Sequence, residues 1–154
     1  MMMIGSIATL KTDFMAEFKK PLQKILGEDA TPNLSVWENV GKNTIEIQFW
    51  VIQNGLSRMR FSLTRMPGCC GILVSHGTSV GYDLRNKGLG SLMQNMKEWI
   101  ARRRMVGKMI ATTLEGNEAQ NHLMQKFNWK RTDMFINPKT HNRIIQWEKH
   151  LSNN

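Results

Sequence analysis

Glycine and basic residues crowd one short stretch, Val80-Gly81-Tyr82-Asp83-Leu84-Arg85-Asn86-Lys87-Gly88-Leu89-Gly90-Ser91, where a strand-like segment gives way to an amphipathic helix. Such a turn suits phosphate. Gly88 and Gly90 lack a Cβ, so the backbone can adopt φ > 0 and approach a ligand, while the first helical N–H groups have no intrahelical partner. Those amides and the positive end of the helix dipole favour an anion. Arg85 and Lys87 add two cationic side chains, and residues 85–91 are therefore read as a pyrophosphate cradle. Two familiar phosphate loops do not fit. A P-loop needs Gly-Lys-Ser/Thr four residues after its first glycine, and Gly81 is followed there by Asn86-Lys87-Gly88. The dinucleotide fingerprint needs a third glycine where Met93 stands.

The elements that would hold this cradle follow from periodicity. Upstream, Leu34 and Val36, then Ile45, Ile47, Phe49 and Val51, then Met59, Phe61 and Leu63 alternate with polar residues. The turns between them are Gly41-Lys42-Asn43 and Asn54-Gly55, which predicts three antiparallel strands. Pro67-Gly68 makes the next turn and residues 71–80 read as a central strand, with Gly77 marking a bulge that would splay it from its neighbour and open a slot. After the cradle, Leu89, Leu92, Met93, Met96, Trp99 and Ile100 form an apolar core-facing stripe, with Gln94, Lys97, Glu98, Arg102 and Arg103 opposite. Gly107 is read as closing that helix, with Arg102 to Arg104 solvated at its negative pole. Residues 108–114 predict a strand parallel to the previous one.

Asn117 then caps a helix to about Lys126, and a final strand pair spans 132–136 and 143–147, joined through Asn137-Pro138-Lys139-Thr140. Before all of these, Ile7 to Leu10 reads as a short strand, with Thr12 or Asp13 capping two short helices that meet near Pro21.

Arg85, Gly88 and Gly90 resemble the Arg/Gln-x-x-Gly-x-Gly/Ala signature of the GNAT family of N-acetyltransferases. A second stretch resembles that family's later signature: Asn117, Ala119, Leu123-Met124 and Asn128-Trp129, in the right order after one helix and one strand. The resemblance covers residues 71–147 well and the first ~40 residues by element order alone. It implies an α/β (α+β) fold: a mixed, mostly antiparallel sheet whose parallel fourth and fifth strands splay, with flanking helices. It also implies acetyl-CoA as cofactor. Val80, Gly81 and Tyr82 would pair with pantetheine; the amides of Asn86, Lys87, Gly88, Leu89, Gly90 and Ser91, with Arg85, would hold the pyrophosphate. Asn117 would lie near the thioester.

The departures from the family pattern fall on proton transfer. The tyrosine that protonates the leaving thiolate in many members is Met124, which has no proton to donate. The glutamate that often serves as base corresponds to Thr112. His76, read as sharing parity with Val80, is the candidate base, and Tyr82 the candidate acid, with His122 a weaker one. The expected activity is transfer of acetyl from acetyl-CoA to an amine acceptor, a small molecule or a protein. Phe14, Phe18, Trp37, Met134 and Phe135 could line an acceptor slot, although core is their default role. A CoA-binding protein without turnover is the alternative.

Composition bounds the rest. A chain of 154 residues, 41% hydrophobic and 21% charged, suits one globular domain spanning 1–154. No apolar run approaches the ~18 residues that span a bilayer. Met1-Met2-Met3-Ile4 is short and uncharged for a signal peptide, so a cytoplasmic location without membrane association is expected. The formal charge of +9 favours anionic partners. A nucleic-acid-binding role is disfavoured because the strands lack alternating basic and aromatic residues. Adjacent Cys69 and Cys70 read as free thiols, with no metal site, and self-association as a homodimer is left open.

Overall fold

A computed structural model describes residues 6–69 and 71–151. The first helix, α1 (Ile7–Leu26), begins at Ser6, whose Oγ accepts from the Thr9 N–H at 3.1 Å. This replaces the expected strand at Ile7 to Leu10, and neither Thr12 nor Asp13 is the cap. Leu10, Phe14, Phe18 and Leu22, spaced by four, are all buried. The helix also runs unbroken through Pro21. Pro21 and Glu17, whose carbonyl loses its partner, both lie on the exposed side where water can serve that carbonyl. The proline costs about 3 kcal/mol, whereas burying each large apolar side chain of the inner stripe stabilises by about 1.5–3 kcal/mol. The stripe prevails.

The remaining elements are β1 (Thr31–Asn39), β2 (Thr44–Gln53), β3 (Leu56–Arg65), β4 (Ile72–Val80), a 3-10 turn (Tyr82–Leu84), α2 (Leu89–Arg103), β5 (Lys108–Leu114), α3 (Glu118–Lys126), β6 (Lys130–Ile136) and β7 (Arg143–His150). They build one seven-stranded sheet in the order β1-β2-β3-β4-β5-β7-β6. Every neighbouring pair is antiparallel except β4 and β5. The core joins helix and sheet through aromatic rings: Phe14 lies 5.5 Å from Phe49 and 5.7 Å from Trp99, centroid to centroid.

The parallel pair is short. Only Ile72 to Ser75 pair with Lys108 to Ala111. Beyond that point β4 stays on β3 and β5 stays on β7 as far as Leu114, so the two strands part. The cause is local. Gly77 has φ 63°, and β4 carries one residue more than β3 between the Ser62–His76 and Arg60–Ser79 pairs. The bulge also corrects the parity of His76: it opposes Ser62, whereas Val80 opposes Met59, so the two face opposite sides of the sheet.

α2 ends before Gly107. Arg104 is its C-cap and Met105, at φ 57°, turns the chain out of the helix. Arg102 and Arg103 are exposed, as expected of a solvated helix end, and pair with Glu98 and Asp13, whereas Arg104 is buried against Glu38. Cys69 is a free, half-buried thiol; Cys70 and the Met1 to Ile4 start lie outside the described residues. No helix among the described residues is long and apolar enough to cross a membrane.

Candidate functional site

The cradle is built by contrast with the other helix starts. In α1 and α3 a side chain occupies the first amides: Ser6 Oγ in one, and in the other Asn117 Oδ1, which accepts from Gln120 N–H at 3.2 Å. At α2 the N-cap is Gly88, which has no side chain to do this. Its ladder begins with Leu92 N–H donating to the Gly88 carbonyl at 3.1 Å. The amides of Leu89, Gly90 and Ser91 therefore precede the ladder and remain open to a ligand. Asn86 at φ 64° and Gly88 at φ 85° give the turn its curl. Gly90 differs from the sequence reading. It sits inside the helix, and its missing Cβ leaves room for Leu123, whose Cδ2 would lie only 3.1 Å from one.

A cavity of about 820 Å³ opens over these amides. Val80, Tyr82, Arg85, Asn86, Gly88, Leu89, Gly90, Ser91 and Asn117 all line it, together with Thr78, Gln120 and Leu123. Gly81 and Lys87 are not on its wall. Gly81 serves the fold instead: its N–H donates to the Arg58 carbonyl at 2.9 Å and its carbonyl accepts from Leu84 N–H at 2.9 Å. Arg58 holds the same turn by its side chain, with Nη2 2.8 Å from Asp83 Oδ2. The hydrogen bond from Arg58 keeps the Asp83 carboxyl below its ordinary value, and Lys87 assists through its charge. A further cation, Lys126, reaches Ser91 Oγ at 3.5 Å from α3.

The gap between the parted strands forms a second cavity of about 320 Å³. Ser75, His76, Gly77 and Thr78 line one side, residues 111–114 of β5 the other, and Gln94, Lys97, Gln120, Met124 and Trp129 the floor and flank. Thr78, Asn117 and Gln120 belong to both walls, so the cavities meet there. His76 stands in this slot, exposed, with Nε2 3.2 Å from Thr64 Oγ1. Tyr82 does not. It is 85% exposed at the cradle, with the Arg85 guanidinium 5.2 Å from its ring centroid. His122 is exposed on α3 and lines neither cavity.

Two slot residues run against the sequence expectation of a solvated polar face. Gln94 and Lys97 are 4% and 3% exposed. Gln94 accepts from Trp129 Nε1 at 3.1 Å and donates to Met124 Sδ at 3.5 Å. Lys97 Nζ donates to Thr78 Oγ1 at 2.8 Å and lies 5.4 Å from the Phe61 ring centroid. Burial pushes its ammonium down to about 8. Gly90, Gln94, Lys97 and Ala101 recur at helical spacing, and this second stripe was the available signal. The start of α3 is fixed by another unforeseen group. Thr113 Oγ1 donates to Asn121 Oδ1 at 2.5 Å and accepts from Trp147 Nε1 at 2.8 Å, while Asn121 Nδ2 donates to the Leu114 and Glu115 carbonyls. The supposed acceptor-slot residues divide: Phe14 and Phe18 are core, and Trp37 and Phe135 are exposed at 55% and 42%.

No protein-family model matches this sequence, and no curated protein matches it either. Solved structures do match its fold. A GNAT family acetyltransferase from Elizabethkingia anophelis with acetyl-CoA bound superposes with TM-score 0.64 at 13% identity, over 80% of this chain and 99% of that one. The acetyltransferase of GNAT family from Streptococcus pneumoniae gives 0.60 at 18% identity, over 70% and 67%. A ribosomal L7/L12 alpha-N-protein acetyltransferase in complex with coenzyme A gives 0.60 at 10% identity, over 71% and 64%. With its seven-stranded, mostly antiparallel sheet, parted parallel β4 and β5, and open α2 start, this chain has the GNAT acetyltransferase fold.

Proposed function

We propose that this protein is an acetyl-CoA-dependent N-acetyltransferase. The observation that carries the reading is the junction of the two cavities at Thr78, Asn117 and Gln120. An extended thiol ester anchored by its phosphates at the α2 amides would run along the edge of β4 that β5 has left and deliver its reactive end to that junction. Several convergent amides, with Arg85 and nearby Lys87 and Lys126, suit a doubly charged pyrophosphate. The acetyl-CoA and coenzyme A bound to two of the structural relatives support the same cofactor here.

In this reading the residues present bind and orient the thioester, and a neutral amine attacks its carbonyl carbon directly. Alignment supplies most of such an acceleration. Proton transfer adds about 10²–10⁴-fold. His76, on the slot wall, is assigned as the base that takes the amine proton, directly or through water. Tyr82, the acid expected from sequence, stacks with Arg85 at the cradle, so it is assigned to the cofactor's phosphate end. One observation favours binding without turnover: Met124, which the resemblance aligns with the family's proton-donating tyrosine, is a thioether on the slot wall and 1% exposed.

The test is calorimetric titration with acetyl-CoA, followed by a panel of small amines and peptide N-termini scored for free thiol. Saturable binding and thiol release with at least one amine are expected. Absence of binding would contradict the reading, and binding with no release by any amine would select the turnover-free alternative.

A further inference from the structure

Among the described residues, two cationic side chains are buried, Lys97 and Arg104, and they are treated differently by the fold. Arg104 has the Glu38 carboxylate. Half-buried Lys149 likewise has Glu98, at 2.8 Å. Lys97 has no carboxylate in ion-pair contact among the described residues; its neighbours are one hydroxyl, on Thr78, and the face of Phe61. A buried ammonium without a counter-charge is unfavourable unless something anionic visits it. The only other titratable group on the slot wall is His76 from β4. β5 contributes Ala111 to Leu114 and α3 contributes Gln120 and Met124 to that wall, and Phe61 of β3 faces the ammonium from outside it; none of these titrates.

The position of Lys97 identifies the visitor. Its hydrogen-bond partner, Thr78, is one of three residues shared by the cradle cavity and the slot. Met124, at the position of the proton-donating tyrosine, lines the same slot from α3. We propose that Lys97 is the catalytic acid of this protein, an ammonium that meets the departing CoA sulfur and protonates it in place of the tyrosine that Met124 has replaced. The inference rests on the acetyl-CoA reading above.

The step balances as follows. The amine nitrogen bonds to the carbonyl carbon, and the C–S bond breaks with its electron pair going to sulfur. A proton from Lys97 Nζ makes the thiol. The excess proton on the new amide nitrogen leaves to His76 or water, and Lys97 regains one from solvent. The lowered ammonium value of about 8 lies close to that of an ordinary thiol, so neither direction of transfer is steeply opposed.

The experiment uses coenzyme A itself and needs no acceptor. Binding heat and the ultraviolet absorbance of the bound thiolate are followed against pH in the wild-type protein and in Lys97→Met, Lys97→Gln and Lys97→Arg. In the wild type the bound thiol should titrate about 1–3 pH units below its value in Lys97→Met or Lys97→Gln, the range for an adjacent opposite charge. Lys97→Arg should keep the lowered value because it keeps the charge. Lys97→Gln can retain a hydrogen bond to Thr78, so it covers the case in which the methionine variant does not fold. CoA binding with the thiol titrating as in free CoA, or identically in all four proteins, would overturn the inference and leave the acetyl-CoA reading intact. Absence of CoA binding to the wild type would overturn both. Acetylated Lys97, found by mass spectrometry after incubation with acetyl-CoA, would also overturn the inference, since Lys97 would then be an acceptor.

Discussion

Lys97 is 3% exposed, and desolvation pushes its ammonium from 10.5 down to about 8, so at neutral pH the folded chain carries a charge it disfavours. Between about pH 8 and 10.5 the unfolded chain binds more protons than the folded one, and wild-type stability therefore rises with pH across that window. The penalty, on the order of 3 kcal/mol, is fully present below it. Lys97→Met should accordingly stabilise the apo-protein at pH 7 by about 1–3 kcal/mol, less than the full penalty because the bond to Thr78 is lost. The advantage should fade as pH approaches 10.5; denaturant melts at several pH values would show it. A residue that weakens its own fold fits a site held for chemistry rather than for packing. Its burial left one trace in the sequence, the Gly90, Gln94, Lys97 and Ala101 stripe, which the polar character of Gln94 and Lys97 on that side of the α2 helical wheel outweighs. They are buried only because α3, Trp129 and the parted strands close over that side.

Alternation and turn residues made β1 to β3 legible, since β2 and β3 bury every second residue over most of their length, β1 buries Leu34 and half-buries Val36, and Asn54-Gly55 admits the positive φ its turn needs. The same logic located the bulge at Gly77. α1 was misread because Ile7 and Thr9 favour strands and Pro21 disfavours helix, and both preferences yield to the buried Leu10, Phe14, Phe18 and Leu22 stripe. The bulge is the element on which the site depends, and it can be tested directly. A Cβ on Gly77 would meet Ser62 Oγ at an ordinary 3.5 Å, so Gly77→Ala suffers only the left-handed backbone, φ 63°. A loss of about 1–2 kcal/mol is expected, read as a shifted denaturation midpoint with unchanged slope. CoA affinity should fall as well if the substitution flattens β4 and narrows the slot.

At the scale of the molecule, the net charge of +9 is unevenly engaged. Arg102, Arg103, Arg104 and Arg143 are matched with carboxylates, whereas Arg85, Lys87 and Lys126 gather around the open amides of α2. Part of their attraction for a phosphate is long-range and therefore screened, with a Debye length of about 10 Å at 0.1 M salt. Arg85→Ala and Lys87→Ala should each weaken CoA about 2- to 10-fold at low salt and less at high salt. Pantetheine, which lacks the pyrophosphate, should bind all three proteins alike; an equal loss for pantetheine would contradict a phosphate role. The fold and the open glycine turn before α2 were legible in the sequence, but the surroundings of Lys97 were not, since they depend on which side chains the slot buries. The most direct measurement of the central claim is calorimetry with acetyl-CoA on the wild type and on Gly90→Asp. An aspartate in the first turn of α2 can accept from the helix's own amides, and the tip of Leu123 can shift by a few tenths of an ångström, so the fold should persist. The cradle would then hold a carboxylate where the proposed site places phosphate. Loss of acetyl-CoA binding with an unchanged melting transition is the predicted result, and equal affinity in the two proteins would contradict the account.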